Sequence, residues 1–176
     1  AEEPQDAEAQ AFVKANVDAV LAVLRNAEMT AGEQREKVLA MLGPVFDFAL
    51  MAKLSLGRQH WPAFSEPQRQ EFTELFAKQL QQAYYDKLQM HADKDIQYDS
   101  AKTDGKRAQV NTRVTDQGED FIIIYKLHCA DAGWAVYDVE IEGVSVIASY
   151  RSQFNDFLGT KPVGELLAEM RAKADE

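Results

Sequence analysis

The chain of 176 residues carries a net charge of -10, and 46% of its residues are hydrophobic. This length and apolar content predict one medium-sized domain with a sizeable core, whereas the acidic balance argues against a nucleic-acid partner, which requires clustered lysine and arginine. The same charge argues against residence on anionic membrane surfaces, and no run reaches the ~18 consecutive apolar residues of a membrane-spanning helix.

The amino-terminal half of the chain is predicted to be helical. Residues 1–9 are polar and are expected to form a frayed tail, and helices are predicted over residues 10–90. An amphipathic pattern begins at Gln10. Ser65 and Gln68 have the spacing of a capping box, which starts the longest helix. The inner stripe of this helix consists of Phe72, Leu75, Phe76, Leu80, Ala83, Tyr84 and Leu88.

Two further helices are predicted between these. Thr30 and Glu33 form a second capping-box pattern, and Gly43-Pro44 ends the helix that it starts. Residues 45–56 are apolar nearly all round, so this helix should be buried on most sides.

After Lys94 the period of apolar residues falls to two, which predicts strands. Four strands are expected, at about residues 95–101, 107–115, 120–129 and 134–141. Glycines in the short connections favour tight turns and an antiparallel meander. The third strand is apolar on both faces, so it should be central and covered on both sides.

The fourth strand leads directly into a helix. The period changes at Glu142-Gly143, so the meander and the helix that packs on it are expected to occupy residues 94–158. A last helix is predicted over residues 160–176. The class is therefore α+β, a strongly curved antiparallel sheet of about four strands covered by amino- and carboxy-terminal helices, in a single domain over residues 1–176.

No pattern of catalytic or metal-binding residues stands out. Ser145 follows Gly143 as in a nucleophile elbow, but Ile147 stands where a second glycine must let strand and helix approach. The histidines lack metal-ligand spacing, and the alternating acids after Asp93 are typical of a solvated strand face rather than a calcium loop. Cys129 fits a small buried strand residue. We predict no catalytic residue, no metal and no cofactor.

Two helices place many aromatic rings on their inner faces. These rings belong to Phe72, Phe76, Tyr84, Tyr85, Tyr150, Phe154 and Phe157. Such a stripe is most often core, yet the concave side of a curved sheet can hold only part of that bulk unless the helices stand off. The pattern therefore leaves two interpretations, a filled core and a ligand cleft.

Two segments resemble the hallmark blocks of a known family. The first runs from Leu56 to Leu88 and reads LGRQHWPAFSEPQRQEFTELFAKQLQQAYYDKL, and the second runs from Tyr137 to Leu158 and reads YDVEIEGVSVIASYRSQFNDFL. Their order and spacing are similar to those of the MlaC-like (toluene-tolerance) family, over roughly residues 10–170.

This resemblance implies a periplasmic phospholipid carrier with a sheet of the NTF2/cystatin-like roll type. It implies that lipid passes between an outer-membrane lipoprotein complex and an inner-membrane ABC transporter with an MCE-domain subunit, which maintains outer-membrane lipid asymmetry. The start Ala-Glu-Glu-Pro, without Met, is expected after signal-peptide removal and equally after trimming of the expressed chain. We expect a monomer without enzyme activity or stable membrane insertion, with phospholipid as cargo. A lipid-acting hydrolase and a ligand-free interaction module are the alternatives.

The lipid-binding residues are expected on the concave face of the sheet and on the inner stripes of the two aromatic-rich helices. They are Phe72, Phe76, Leu80, Tyr84, Val110, Ile122, Ile124, Val139, Ile141, Ile147, Tyr150 and Phe154. On the third strand the other face, with Phe121, Ile123 and Tyr125, is equally possible, because a shift of one residue exchanges the faces.

Arg151 has two competing interpretations. It lies on or beside an inner helix face, where an unpaired charge is costly. One interpretation places it at the mouth of the cleft, on the lipid phosphate. The other, which we favour, pairs it with Asp138 or Asp47 and so fixes the helix to the sheet.

Overall fold

The computed structural model describes residues 4–175, which form a helical half followed by a sheet and two further helices. The helical half consists of α1 (Pro4–Leu24), α2 (Ala31–Leu42), α3 (Phe48–His60), a 3-10 turn (Trp61–Ala63) and α4 (Glu66–Met90). The sheet consists of β1 (Asp95–Asp104), β2 (Arg107–Asp116), β3 (Glu119–Ala130), β4 (Gly133–Ile141) and β5 (Val144–Ser145). The last two helices are α5 (Val146–Leu158) and α6 (Val163–Ala174). This arrangement confirms the predicted α+β class.

The amino-terminal tail is largely helical, contrary to the prediction for residues 1–9. Residues 1–3 lie outside the described residues, and α1 begins at Pro4, a favourable residue for a first helical turn. Asp6 is only 5% exposed, and its Oδ1 accepts hydrogen bonds from the backbone N (2.6 Å) and Oγ1 (2.5 Å) of Thr103 in β1. The polar composition is misleading here because Asp6 finds its partner 97 residues along the chain.

Both capping boxes and the buried third helix follow the sequence closely. Thr30 accepts from the backbone N of Glu33, and Ser65 accepts from that of Gln68, with the reciprocal bonds present in both cases. The apolar segment becomes α3, with Asp47 as its N-cap. None of the helices within residues 4–175 is both long enough and apolar enough to cross a membrane.

The sheet has five antiparallel strands in chain order rather than four. The additional strand β5 pairs with the end of β4 across a two-residue turn. Glu142 and Gly143 both have positive φ, 52° and 79°, which is the geometry of a tight type I′ hairpin. The change of period predicted at these residues therefore corresponds to a hairpin turn. The apolar pattern of the helix starts at Val144, but α5 itself begins two residues later, at Val146.

The two faces of the sheet differ in their surroundings. The inner face is apolar, and Val110, Val114 and Leu127 are buried on it. The outer face is solvated, and the ion pairs of Arg113 with Asp99 and Asp120 and of Lys126 with Glu140 lie on it. Strand β3 is central as predicted, but its outer face is uncovered.

Two residues of β3 are exposed, one on its outer face and one near its carboxyl-terminal end. Ile122 is 47% exposed, and Cys129, predicted to be buried, is exposed near the end of the strand. Apolar composition on both faces therefore overestimated the burial of β3, because the neighbouring outer-face side chains are charged.

The helices bury the sheet from its inner side and along one edge. Helix α1 packs on β1 and β2, where Ala9 and Val13 share a buried apolar cluster with Ala101 and Val110. The connection before α3 covers the edge of β4, since the backbone N of Val136 donates to Val45 O (2.8 Å). A second core lies between α3, α4, α5 and α6.

Candidate functional site

A cavity of about 310 Å³ lies between the inner face of the sheet, α1, α4 and the α2–α3 connection. Its wall is almost entirely apolar. The residues that line it are Val13, Asn16, Val17, Val20, Leu21, Met41, Leu42, Val45, Phe46, Phe48, Met51, Leu80, Gln81, Tyr84, Tyr85, Lys87, Leu88, His91, Ile96, Val114, Phe121, Ile123, Tyr125, Val139, Ile141 and Val146. Since one water molecule needs about 10–15 Å³ of such space, the cavity could hold roughly 20–30 waters, yet it offers them few polar partners.

Strand β3 supplies the floor of the cavity through alternate residues. Phe121, Ile123 and Tyr125 line it, whereas Ile122 and Ile124 lie on the opposite face. Of the two faces left open by the sequence, the structure uses the one with Phe121. The prediction of Ile122 and Ile124 is wrong for this cavity, because side chains alternate across a strand and a choice one residue out of step selects the solvated face.

Four of the twelve predicted residues line the cavity. They are Leu80, Tyr84, Val139 and Ile141. The helical residues Phe72, Phe76, Ile147, Tyr150 and Phe154 instead belong to the core between α3, α4, α5 and α6, and Val110 packs beneath α1.

That core explains where most of the aromatic rings go. Phe76 contacts Tyr150 edge-on with ring centroids 5.3 Å apart, and Phe72 contacts Phe154 in the same way at 5.3 Å. Phe64, from the segment before α4, packs edge-on against Phe72 at 5.5 Å. Edge-to-face contacts at these distances are those of a filled interior. The core interpretation of the aromatic stripe is therefore right for these rings, and the cavity lies beside them.

Helix α1 contributes the wall that sequence reasoning missed. Val13, Val17 and Val20 line the cavity, together with Leu21. These residues form the apolar stripe by which the helix is recognised in the sequence, but the stripe does not indicate which element of the fold it packs against. The placement of α1 across the concave side of the sheet depends on contacts distant in sequence.

Polar residues line the cavity along the carboxyl-terminal half of α4 and at its C-cap. Gln81, Lys87 and His91 line it there, and the ammonium of Lys87 lies 5.1 Å from the centre of the Tyr84 ring. His91 Nδ1 lies 3.7 Å from a carboxylate oxygen of Asp116. An apolar chamber with a few polar groups in its wall can accept an amphiphile.

Three tyrosines in and beside the cavity, Tyr84, Tyr125 and Tyr150, remain neutral phenols. Burial raises the pKa of Tyr125 to about 12, and burial with a smaller contribution from Tyr84 raises the pKa of Tyr150 to about 12. Burial also raises the pKa of Tyr84 above its ordinary value. The chamber therefore gains no negative charge from these groups at neutral pH.

Arg151 connects two helices rather than a helix and the sheet. Its Nε donates to the backbone O of Leu54 (2.9 Å), and its side chain passes Gly57, where a Cβ would lie 3.7 Å from it. Gly57 interrupts α3 with a φ of 71°, a conformation that favours glycine, and the Arg151 side chain lies against this interruption. Arg151 does not line the cavity wall.

The carboxylates predicted to pair with Arg151 have other partners. Asp138 accepts from Ser145 Oγ (2.5 Å) and from the backbone N of Ile147 (3.1 Å). Asp47 accepts from the backbone N of Leu50 and lies 2.8 Å from His128 Nε2. The prediction of an ion pair is therefore wrong, because both carboxylates bind backbone and side-chain groups close to them. The role of Arg151 is nevertheless structural, as predicted.

Ser145 is the N-cap of α5. Its Oγ accepts from the backbone N of Ala148 (3.1 Å) and donates to Asp138. These contacts give Ser145 a structural role at the start of the helix. Within residues 4–175 no group of three or more histidine, cysteine or acidic side chains could hold a metal ion.

Comparisons with known proteins agree with one another. The family model described as "MlaC protein" matches residues 14–172. The toluene tolerance protein ttg2D of Pseudomonas putida is 32% identical over 118 residues, which is 66% of this chain and 55% of that protein. The chain thus spans about half the length of that relative. A phospholipid-binding protein of Ralstonia solanacearum, solved in complex with a phospholipid, superposes with a TM-score of 0.81 at 26% identity, covering 95% of this chain and 98% of that one.

Proposed function

The chain belongs to the MlaC protein family, and from that membership we propose that it carries phospholipid without catalysing a reaction on it. The observation that carries this proposal is the apolar cavity between α1, α4 and the sheet. Two acyl chains of ~16 carbons, at ~0.8 kcal/mol per CH₂, cost on the order of 25 kcal/mol to expose to water. A carrier must therefore offer such chains an apolar surface away from water, and the side chains that line the cavity provide this surface.

The setting that we propose is the periplasm. There the protein would receive phospholipid from one membrane complex and deliver it to another, between an outer-membrane lipoprotein complex and an inner-membrane ABC transporter with an MCE-domain subunit, and so maintain outer-membrane lipid asymmetry. Family membership supports this route. The net charge of -10 also supports it, because a shuttle must leave an anionic bilayer after each exchange. No cofactor is needed for such exchange, and a monomer suffices.

Organic extraction of the purified protein followed by mass spectrometry tests the carrier proposal. We expect intact phospholipid at close to one molecule per chain. Lysolipid or free fatty acid would instead indicate a lipid-acting hydrolase, and a protein free of any lipid would indicate an interaction module.

Two neighbouring residues of β3 provide a matched pair for locating the lipid. Ile123→Trp places extra volume in the cavity, whereas Ile122→Trp places the same volume on the solvated face. We expect the first variant to retain much less phospholipid than the parent and the second to retain as much, at similar melting temperatures. Equal retention in both variants would show that lipid does not occupy this cavity.

A further inference from the structure

A second, polar pocket of about 180 Å³ adjoins the apolar cavity. The residues that line it are Lys14, Asp18, Leu21, Arg25, Lys94, Asp95, Ile96 and Tyr98. Leu21 and Ile96 line both spaces, so the two share a wall at the carboxyl-terminal part of α1 and the start of β1. A ligand with apolar tails in the cavity could therefore place its polar end here.

We propose that this polar pocket binds a zwitterionic phospho-amine head group, with Arg25, Lys14 and Lys94 near the phosphate and Asp18 and Asp95 near the ammonium. This inference rests on the proposed carrier function and adds to it a preference among phospholipids. The polar pocket combines three cations with two carboxylates, a pattern that matches a head group bearing both signs of charge.

Arg25 is held in place but keeps donors available. Its Nε donates to the backbone O of Ala92 (2.5 Å), and Nη2 lies 3.4 Å from Lys94 O. A guanidinium has five N–H donors, so those not used on these carbonyls can reach phosphate oxygens. Lys94 is positioned by its ion pair with Asp116 (3.2 Å), and Lys14 lies 5.8 Å from the centre of the Tyr98 ring.

The two carboxylates distinguish an amine head group from a purely anionic one. Among the residues that the structure describes, no cation lies within ion-pair distance of Asp18 or Asp95. The hydroxyl of Tyr98 is also buried without a hydrogen-bond partner in the described part of the chain. An ammonium would supply charge and N–H donors to these groups, whereas an anionic glycerol head group would leave the two carboxylates unpaired beside a phosphate.

Competitive loading from vesicles tests the preference. The delipidated protein is incubated with vesicles of equal parts phosphatidylethanolamine and phosphatidylglycerol and is then repurified, and its lipids are quantified by mass spectrometry. We expect the parent to take up phosphatidylethanolamine in excess. We expect the variant Asp18→Asn/Asp95→Asn to show an ethanolamine-to-glycerol ratio lower by roughly threefold, the size expected for two exposed charge contacts.

The control is Asp131→Asn/Asp156→Asn, which changes the net charge equally at two exposed positions that do not line the polar pocket. Its ratio should equal that of the parent. A parent without an ethanolamine excess, or equal ratios in the two double variants, would overturn the proposal while total lipid per chain still supports the carrier. A parent that loads neither lipid would overturn the carrier function and this inference together.

Lipid retention in a lysine variant tests the part of the polar pocket that is proposed to bind the phosphate. Lys14→Gln should reduce retention of both lipids relative to Lys78→Gln, which removes the same charge from an exposed position on α4. Equal retention in these two variants would remove Lys14 from the site.

Discussion

At the scale of single residues, Arg151 stabilises the contact between α5 and α3. Its Nε donates to Leu54 O at the point where Gly57 interrupts α3. A hydrogen bond from a charged donor contributes about 1.5–3 kcal/mol, so Arg151→Ala should lower the free energy of unfolding by about 2 kcal/mol. For a chain of this length the melting temperature should fall by roughly 4–8 °C.

The measurement is thermal unfolding alongside phospholipid content. We expect the variant to retain lipid at temperatures where it is folded, since Arg151 does not line the cavity. A variant that melts like the parent but is empty of phospholipid would assign Arg151 to the lipid phosphate instead. Arg58→Ala, an exposed cation on the same stretch of α3, controls for loss of charge.

Two buried tyrosines predict a loss of stability at alkaline pH. Burial raises the pKa of Tyr125 and Tyr150 from 10.0 to about 12. As the pH rises above 10, the unfolded chain loses these protons first, so the stability that the neutral phenols confer is complete below pH 10 and is lost between about pH 10 and 12. Each group can contribute a slope of up to ~1.4 kcal/mol per pH unit.

Urea unfolding between pH 8 and pH 11, a range that includes the ordinary tyrosine pKa of 10.0 and ends below the raised values of about 12, measures this slope. We expect the double variant Tyr125→Phe/Tyr150→Phe to lose less stability than the parent over the alkaline part of the range. Tyr137→Phe removes a hydroxyl from a partly exposed position on β4 and serves as the control for the loss of a phenol. A double variant with the slope of the parent would refute the assignment.

At the scale of elements, the aromatic contacts of α4 with α5 form core rather than cavity wall. Phe76 is fully buried and touches the rings of Phe72, Tyr150 and Phe154. Truncation of such a residue costs ~3–5 kcal/mol. Phe76→Ala should therefore reduce the denaturant midpoint strongly, as expected of a core residue and not of the lipid-binding wall to which the sequence analysis assigned it.

Leu80, one turn further along α4, lines the cavity as well as joining this core. Leu80→Ala enlarges the cavity at one end, and we expect a smaller loss of stability than for Phe76→Ala because part of its surroundings is already open. Equal losses would mean that the cavity is filled by protein in solution.

The elements themselves were largely predictable, because each has a local signal. Capping boxes at Thr30 and Ser65 mark helix starts, and alternation marks the strands. The face of β3 was not predictable, since Phe121 to Tyr125 are all apolar and the sequence gives no contrast between the two sides. The outer face is identified only through its neighbours across the ladder, where Arg113 lies opposite Ile122 and Glu140 opposite Ile124.

At the scale of the whole molecule, the position of α1 decides where the cavity lies. The apolar stripe of α1 is evident in the sequence, but the sheet that it covers begins about 70 residues after the helix ends. Two contacts distant in sequence fix the helix there. Asp6 accepts from Thr103 at one end of α1, and Arg25, just beyond the other end, donates to Ala92 O. Local patterns cannot report such pairings, so the wall that α1 forms was missing from the predicted site.

These two contacts hold α1 over the cavity, and we expect that opening of α1 limits the rate at which lipid is exchanged. Asp6→Ala removes the carboxylate that accepts from the backbone N and Oγ1 of Thr103, contacts of a charged group that contribute about 1.5–3 kcal/mol. Hydrogen exchange of the α1 amides should then accelerate by about tenfold or more, and phospholipid should pass to acceptor vesicles faster than from the parent, while the amides of α4 stay protected. Glu8→Ala, an exposed acid in the same helix, should change neither rate. Faster exchange in α1 with unchanged lipid transfer would show that lipid leaves by another route, and unchanged exchange in α1 would show that Asp6 does not hold the helix in place.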